Sequence, residues 1–211
     1  MEIILIVILA IVAYLIGSMP SSVWIGKAYH GLDVRDFGSG NAGATNTFRV
    51  LGTPTGIVVL FLDIVKGVTA TSLIHYIPTV EHGTEQFINL QLLFGLLSVV
   101  GHIFPVYENF KGGKGIATLF GMLIGIHYLL ALACVGLFIL VLLLTKYVSL
   151  SSILAAIAFP ILTIFVFKRD EPLLITFGIV AAILVVLTHK KNISRLLTGE
   201  ESKANLFKAR Q

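Results

Sequence analysis

Six long apolar stretches, at roughly 3–25, 53–76, 87–106, 115–145, 149–167 and 172–189, constrain this chain more than any other feature. Crossing the hydrocarbon core of a bilayer takes about 20 residues of α-helix at 1.5 Å rise each. Five of the six stretches match a single crossing. The helix is obligatory, because lipid offers the backbone no hydrogen-bond partners. The composition agrees: 56% of the 211 residues are hydrophobic and 12% charged, against roughly 25% charge in a soluble domain. The stretch that begins at the N-terminus resembles a signal h-region. It continues too long and lacks a small-residue cleavage site, so it is read as a retained first span.

The run at 116–145 is long enough for one tilted helix or two short ones, and charge placement decides between them. With seven spans and the first polar stretch cytoplasmic, the inner segments hold Lys27, Arg35, Arg49, Lys111, Lys114, Lys146 and the tail cations Lys190, Lys191, Arg195, Lys203, Lys208 and Arg210. Only Lys168 and Arg169 fall outside, with Glu2, Glu81, Glu85, Asp170 and Glu171. Six spans would export Lys146 and the basic tail, against the positive-inside rule. The expectation is an all-α integral membrane protein with seven transmembrane helices, N-terminus outside and C-terminus cytoplasmic. Residues 1–211 would form one polytopic domain, with a turn near Gly125, His127 and Tyr128. Two crossings from this run leave each short, which requires local thinning or shielding by protein.

Three polar segments break the apolar background, all on the predicted cytoplasmic side. The first is Gly38-Ser39-Gly40-Asn41-Ala42-Gly43-Ala44-Thr45-Asn46, followed by Arg49. Glycines among small polar residues make a tight turn whose N–H groups and side chains can face an anion. The second, Phe110-Lys111-Gly112-Gly113-Lys114-Gly115-Ile116-Ala117-Thr118, leads into a span. A glycine loop opening a helix presents free N–H groups and the positive end of the helix dipole, and its lysines add charge. Phosphate is the natural occupant. The third, His189-Lys190-Lys191-Asn192-Ile193-Ser194-Arg195, runs on to Gly199-Glu200-Glu201, with His189, Asn192 and Arg195 on one helical face. Inside the spans, Asp63 and Lys66 stand three apart and can pair, and His102 lies near the inner end of the third span.

Other chemistries are excluded by context. Gly38, Gly40 and Gly43 with Asp63 satisfy the dinucleotide spacing, but no βαβ unit surrounds them. Gly113-Lys114 is followed by Gly115, and Glu108 occupies the first-glycine position, so there is no Walker A loop. No paired Cys/His spacing indicates a metal, and no cofactor is expected. The single Cys134 lies in an apolar stretch. A net charge of +4, scattered along the chain, does not mark a nucleic-acid binder.

Taken together, Gly38 to Asn46 with Arg49, Gly101-His102-Ile103-Phe104-Pro105-Val106 with Phe110 to Thr118, and His189 to Glu201 resemble the bacterial acyl-phosphate:glycerol-3-phosphate acyltransferase family (PlsY). Asp63-x-x-Lys66-Gly67 and Lys146-Tyr147-Val148-Ser149-Leu150 share the likeness, which covers nearly the whole chain. The resemblance implies a seven-span enzyme of the bacterial cytoplasmic (inner) membrane, its active site facing the cytoplasm. It would move a fatty acyl group from acyl phosphate to the 1-hydroxyl of sn-glycerol 3-phosphate, giving lysophosphatidate and phosphate. Its partners would be those two substrates and membrane lipid, with coupling to the enzyme that makes acyl phosphate. The catalytic candidates are Ser39, Lys114, His189 and Asn192. Candidates for substrate and phosphate binding are Gly38, Gly40, Asn41, Thr45, Asn46, Arg49, Lys66, His102, Lys111, Gly112, Gly113, Gly115, Thr118, Arg195 and Glu201. Lys190 stands where the family commonly has arginine, which keeps charge but loses the bidentate fork, and it takes no site role. Glu200 beside Glu201 leaves open which acid aligns.

An acyl phosphate is already activated, so the expected catalysis is positioning and electrostatics without an acyl-enzyme. The base is either His189 or a phosphate oxygen of the substrate. A nucleophilic Ser39 is the alternative chemistry. A transporter of a phosphorylated metabolite is the competing class; such proteins bring their sites to the bilayer midplane and often carry repeats. Here the motifs gather at one face, and the halves show no repeat.

Overall fold

The structure is a computed structural model that describes residues 2–204. Lys208 and Arg210, counted among the tail cations above, lie outside the described residues. All regular elements among the described residues are helical, and the chain divides into two compact units, up to Tyr128 and from Leu129 onward.

The first unit begins with α1 (Glu2–Ser18). Pro20 offers no N–H and disfavours helical backbone before it, and the chain bends by 43° into α2 (Ser21–His30). A polar stretch with a 3₁₀ turn (Val34–Asp36) leads to α3 (Ala44–Leu51) and α4 (Thr53–Ser72). Thr84 caps α5 (Glu85–Ile103), its hydroxyl accepting the Phe87 N–H at 3.2 Å. A second 3₁₀ turn (Val106–Glu108) and a glycine loop then open α6 (Ile116–Ile126).

Two helix pairs pack backbone to backbone. A Cβ on Gly67 of α4 would lie 2.1 Å from the Thr118 carbonyl oxygen, and one on Gly121 of α6 would lie 1.9 Å from that of Ile64. In the same way Gly17 of α1 abuts Ser98, and Gly101 of α5 abuts Tyr14. Between apolar helices in lipid, close approach of this kind supplies the van der Waals contact that holds them. The core of the unit is apolar, with Ala13, Ala70, Ile74 and Phe94 at 1% exposure or less. Ile3, Ile4, Val7, Ile8 and Ile11 of α1 point outward, so α1 is apolar both toward its neighbours and away from them, as a span must be.

In the second unit, α7 (Tyr128–Thr145) is followed by α8 (Val148–Ile161), which passes beyond Pro160 into a π-helical turn (Leu162–Val166). Proline withholds an N–H and loosens the helical ladder there. Arg169 pairs with Glu171 just ahead of α9 (Pro172–Thr188), and α10 (Lys190–Leu197) leaves α9 at 62°.

Among the described residues four helices are long and apolar enough to cross a bilayer, or six when each bent pair counts as one span. The long apolar run does break: α6 ends at Ile126, His127 is extended, and α7 starts at Tyr128. The 11 residues of α6 reach only about 16 Å. None of them is exposed, so this short helix is shielded by protein.

Candidate functional site

In the first unit the polar stretch is organised by Asp33 and Asn46. Asp33 accepts the Arg35 N–H at 3.0 Å and takes the guanidinium on both oxygens, from Nε at 3.0 Å and Nη2 at 2.7 Å. The Arg35 side chain holds the Asp33 carboxyl down to about 2, against the upward push of burial. The same guanidinium reaches Glu108 Oε2 at 2.6 Å and the Lys111 carbonyl at 3.3 Å. Lys27 lies 3.4 Å from Asp33 and 3.6 Å from Glu108. Sequence reasoning missed this ionic joint. Its one local signal was Asp33-x-Arg35, where a short carboxylate can cap its own turn. Arg35 and Glu108 line a cleft of about 530 Å³ together with Gly40, Lys111 and Gly112.

Asn46, 1% exposed, is the hub of the first glycine loop. Its Oδ1 accepts the Ser39 N–H at 2.8 Å and the Ser39 hydroxyl at 3.1 Å, while its Nδ2 donates to the carbonyls of Val34 at 2.7 Å and Phe37 at 3.1 Å. Gly38 and Gly40 have φ of 63° and 70°, the left-handed conformation this turn demands. Both amide hydrogens of Asn46 are therefore engaged by the chain itself. Ser39, Thr45 and Arg49 are exposed, Asn41 is half-buried, and the Arg49 stem runs beneath Gly38.

The second loop folds back onto the end of α5. Gly112 N–H donates to the Ile103 carbonyl and Gly113 N–H to that of His102, each at 3.1 Å. These two N–H groups, expected to be free for an anion, are taken by α5. Gly115 starts α6 at φ 76°, which leaves the dipole of that helix's first turn as the loop's fixed positive field. Lys111 is exposed and Lys114 half-buried. The two loops meet here: a Cβ on Gly113 would stand 2.6 Å from the Ala42 carbonyl oxygen and 2.3 Å from His102 Nε2.

Beneath the loops lies a buried polar group. Lys66 donates to Asp63 Oδ1 at 2.7 Å and to the Met19 carbonyl at the α1–α2 bend. His102 Nδ1 is 3.8 Å from the same Asp63 oxygen. Thr118 is fully buried, and its hydroxyl finds no protein partner among the described residues. Lys66 is thus paired within the unit, as the spacing from Asp63 predicts.

In the second unit, His189 is buried at 3% exposure, with Nδ1 2.8 Å from the Val185 carbonyl. A carbonyl only accepts, so Nδ1 carries a proton and donates it there. Beyond α10, Gly199 (φ 75°) reverses the chain and brings Glu201 back. Glu201 accepts from Asn192 at 2.6 Å, Ser149 at 2.7 Å and Arg195 at 2.8 Å. Burial raises its carboxyl, but the donors led by Arg195 outweigh that and hold it below the usual range. Glu200 is exposed, and among the described residues its carboxylate bonds only locally, accepting from Thr198, so of the two adjacent acids Glu201 is the organised one. Ser149 lies in the Lys146–Leu150 stretch that shares the family likeness, but sequence reasoning assigned it no site role, since a serine opening an apolar helix carries no distinctive chemistry. Among the described residues no three His, Cys, Asp or Glu side chains cluster in a way that could hold a metal ion.

Comparison with known proteins adds to this geometry. Residues 7–199 match the family model described as glycerol-3-phosphate acyltransferase. A glycerol-3-phosphate acyltransferase of Chlorobium phaeobacteroides (strain BS1) is 43% identical, the alignment covering 94% of this chain and 96% of the relative. That of Staphylococcus carnosus (strain TM300) is also 43% identical, over 94% of this chain and 98% of the relative. The fold is similar to crystal structures of PlsY (YgiH), an integral membrane glycerol 3-phosphate acyltransferase. Its glycerol 3-phosphate form superposes with a TM-score of 0.83 at 37% identity, over 94% of each chain. Its lysophosphatidic acid form gives 0.80 at 36% identity, again over 94% of each chain.

Proposed function

The chain belongs to the glycerol-3-phosphate acyltransferase family, and from that premise we propose that it acylates the 1-hydroxyl of sn-glycerol 3-phosphate with acyl phosphate as donor, releasing lysophosphatidate and inorganic phosphate. The observation that carries this reading is the junction of two glycine loops at Gly113 and Ala42, with Ser39, Lys111 and Lys114 on the loops so joined and Arg49 on α3, which follows the first of them. Substrates that both bear phosphate need cations and hydroxyls held in register, and catalysis then rests on positioning and electrostatics.

In the proposed reaction the acceptor hydroxyl oxygen attacks the acyl carbon, the bond from that carbon to the phosphate oxygen breaks, and the hydroxyl proton passes to the departing phosphate. Lys114 and Arg49 stabilise phosphate charge. Asn46 holds Ser39 and the loop in shape, in place of the direct contact expected from sequence. Direct transfer is favoured over an acyl-enzyme because the Ser39 hydroxyl donates to an amide oxygen, and an amide is no base. His189 is the second candidate to take the proton. Glu201 keeps Asn192 and Arg195 in place.

The protein is read as a single polytopic domain in the bacterial inner membrane, with the glycine loops facing the cytoplasm. Seven crossings with the N-terminus outside follow from the placement of basic residues, and the shielding of α6 supports counting that short helix as one of them. Acyl phosphate is both reactive and amphiphilic, which favours coupling to the enzyme that makes it.

The test is purified protein in lipid vesicles with acyl phosphate and labelled glycerol 3-phosphate. Lysophosphatidate and phosphate should form in equal amounts. Product formation from an acyl thioester but not from acyl phosphate would overturn the proposed donor.

A further inference from the structure

Asp63 sits on α4 at 2% side-chain exposure, facing His102, whose ring packs on Gly113 of the second glycine loop. Burying a carboxylate and an ammonium inside a membrane bundle is costly, and an apolar pair of similar size packs at least as well. Bracing α4 alone therefore does not explain why an ion pair occupies this position.

The geometry gives the pair a further task. Asp63 Oδ1 accepts from Lys66 at 2.7 Å and faces His102 Nδ1 at 3.8 Å. The His102 side chain is 7% exposed, and its residue serves the second loop twice. Its carbonyl accepts the Gly113 N–H at 3.1 Å, and its ring edge presses on Gly113, where a Cβ would come within 2.3 Å of Nε2. Lys66 is held from the other side by the Met19 carbonyl, at the bend between α1 and α2. The buried charges thus run from that bend, through α4, to the ring that sets the position of Gly113 and of the next residue, Lys114.

We infer that Asp63 is a positioning residue, orienting the His102 ring and through it the Gly112-Gly113-Lys114 loop. This deepens the acyltransferase reading and rests on it. In this role Asp63 acts through His102 rather than on the substrate. Its carboxylate is the fixed charge toward which Nδ1 turns, so the ring's opposite edge stays against Gly113. Without that charge the Nδ1 edge loses its polar partner, and the orientation of the ring that packs on Gly113 is no longer fixed from that side.

The test uses the full-length protein in lipid. Asp63→Asn should raise KM for at least one phosphate substrate about tenfold or more while kcat changes less than about threefold. The paired variant Asp63→Leu/Lys66→Met leaves no unpaired buried charge. It keeps the helix packing yet should show the same KM defect. Wild-type KM in that folded variant would make the pair a brace only and overturn the inference. Adding His102→Asn to Asp63→Asn should raise KM no further; additive effects would also overturn it. A readout independent of turnover separates this from a failure of the acyltransferase reading. Amide exchange at Gly112 and Gly113 should quicken in the paired variant, and unchanged exchange would sink the positioning role even if the wild-type protein made no lysophosphatidate.

Discussion

Arg35 and Glu108 stand 73 residues apart in sequence and meet at 2.6 Å, the guanidinium closing the polar stretch after α2 onto the loop before α6. Both side chains are mostly buried, at 21% and 13% exposure, so solvent screens the pair less than a surface bridge. Arg35 also forks onto Asp33. A single planar group therefore makes two charged contacts that a lysine cannot reproduce.

Arg35→Lys should accordingly impair turnover in lipid, and Arg35→Ala more so. The expected losses in kcat/KM are about tenfold for lysine and roughly a hundredfold for alanine, equivalent to about 1.4 and 2.7 kcal/mol. Steady-state kinetics with acyl phosphate and glycerol 3-phosphate decide it. Wild-type kinetics for both variants would mean the joint does not shape the site.

The same joint carries a pH signature. The folded Asp33 carboxyl lies near 2, below its ordinary 3.8. A depressed carboxyl contributes stability that is present above the ordinary value and is lost as pH falls through the folded one. Amide exchange across 33–46 should therefore stay protected at pH 5 and open between about 3.8 and 2. In Asp33→Asn that acid-dependent opening should be absent; an identical pH profile would remove Asp33 from the joint.

Gly113→Ala tests the junction of the loops. The added Cβ would collide with the His102 ring at 2.3 Å and the Ala42 carbonyl at 2.6 Å. The backbone cannot yield without parting the loops, so activity should fall by roughly a hundredfold or more while thermal stability drops by about 1–3 kcal/mol. Gly136→Ala is the control, since a Cβ there meets nothing within 4 Å. Full activity in Gly113→Ala would show that the close approach is dispensable.

Lys114→Ala should sharply raise the concentration of phosphate substrate required, by about tenfold or more, because its cation is assigned to a phosphate group. Titrating each substrate separately would show which of the two it holds. If neither KM moved, the phosphate-loop assignment would fall.

Glu201→Ala removes the acceptor shared by Ser149, Asn192 and Arg195. Leaving part-buried donors without a partner costs about 1–3 kcal/mol, and the melting temperature in detergent should fall accordingly. Glu200→Ala, at the exposed neighbour, should change stability by less than about 0.5 kcal/mol. Equal effects at the two positions would contradict the distinction drawn between these acids.

Much of this was legible without coordinates. Long apolar runs admit only spanning helices, and the charge pattern had already divided the run that the structure breaks at His127. The glycine loops announced themselves by composition. Less legible was how their polar groups are used. Asn46 and the Gly112 and Gly113 N–H groups read as ligand donors, and each turned out to be committed within the chain.

Helix content, membrane residence and the positions of the polar segments were determined by sequence alone, because hydropathy and glycine content act locally and lipid leaves the backbone few alternatives. Tertiary structure decided which donors of the glycine loops the chain itself takes up, which acid of the Glu200–Glu201 pair is organised, and how Arg35 reaches Glu108. It also decided that Asp63 faces His102 as well as Lys66. Each of these depends on side chains brought within a few ångströms by packing across long stretches of chain, and no local pattern encodes such a contact.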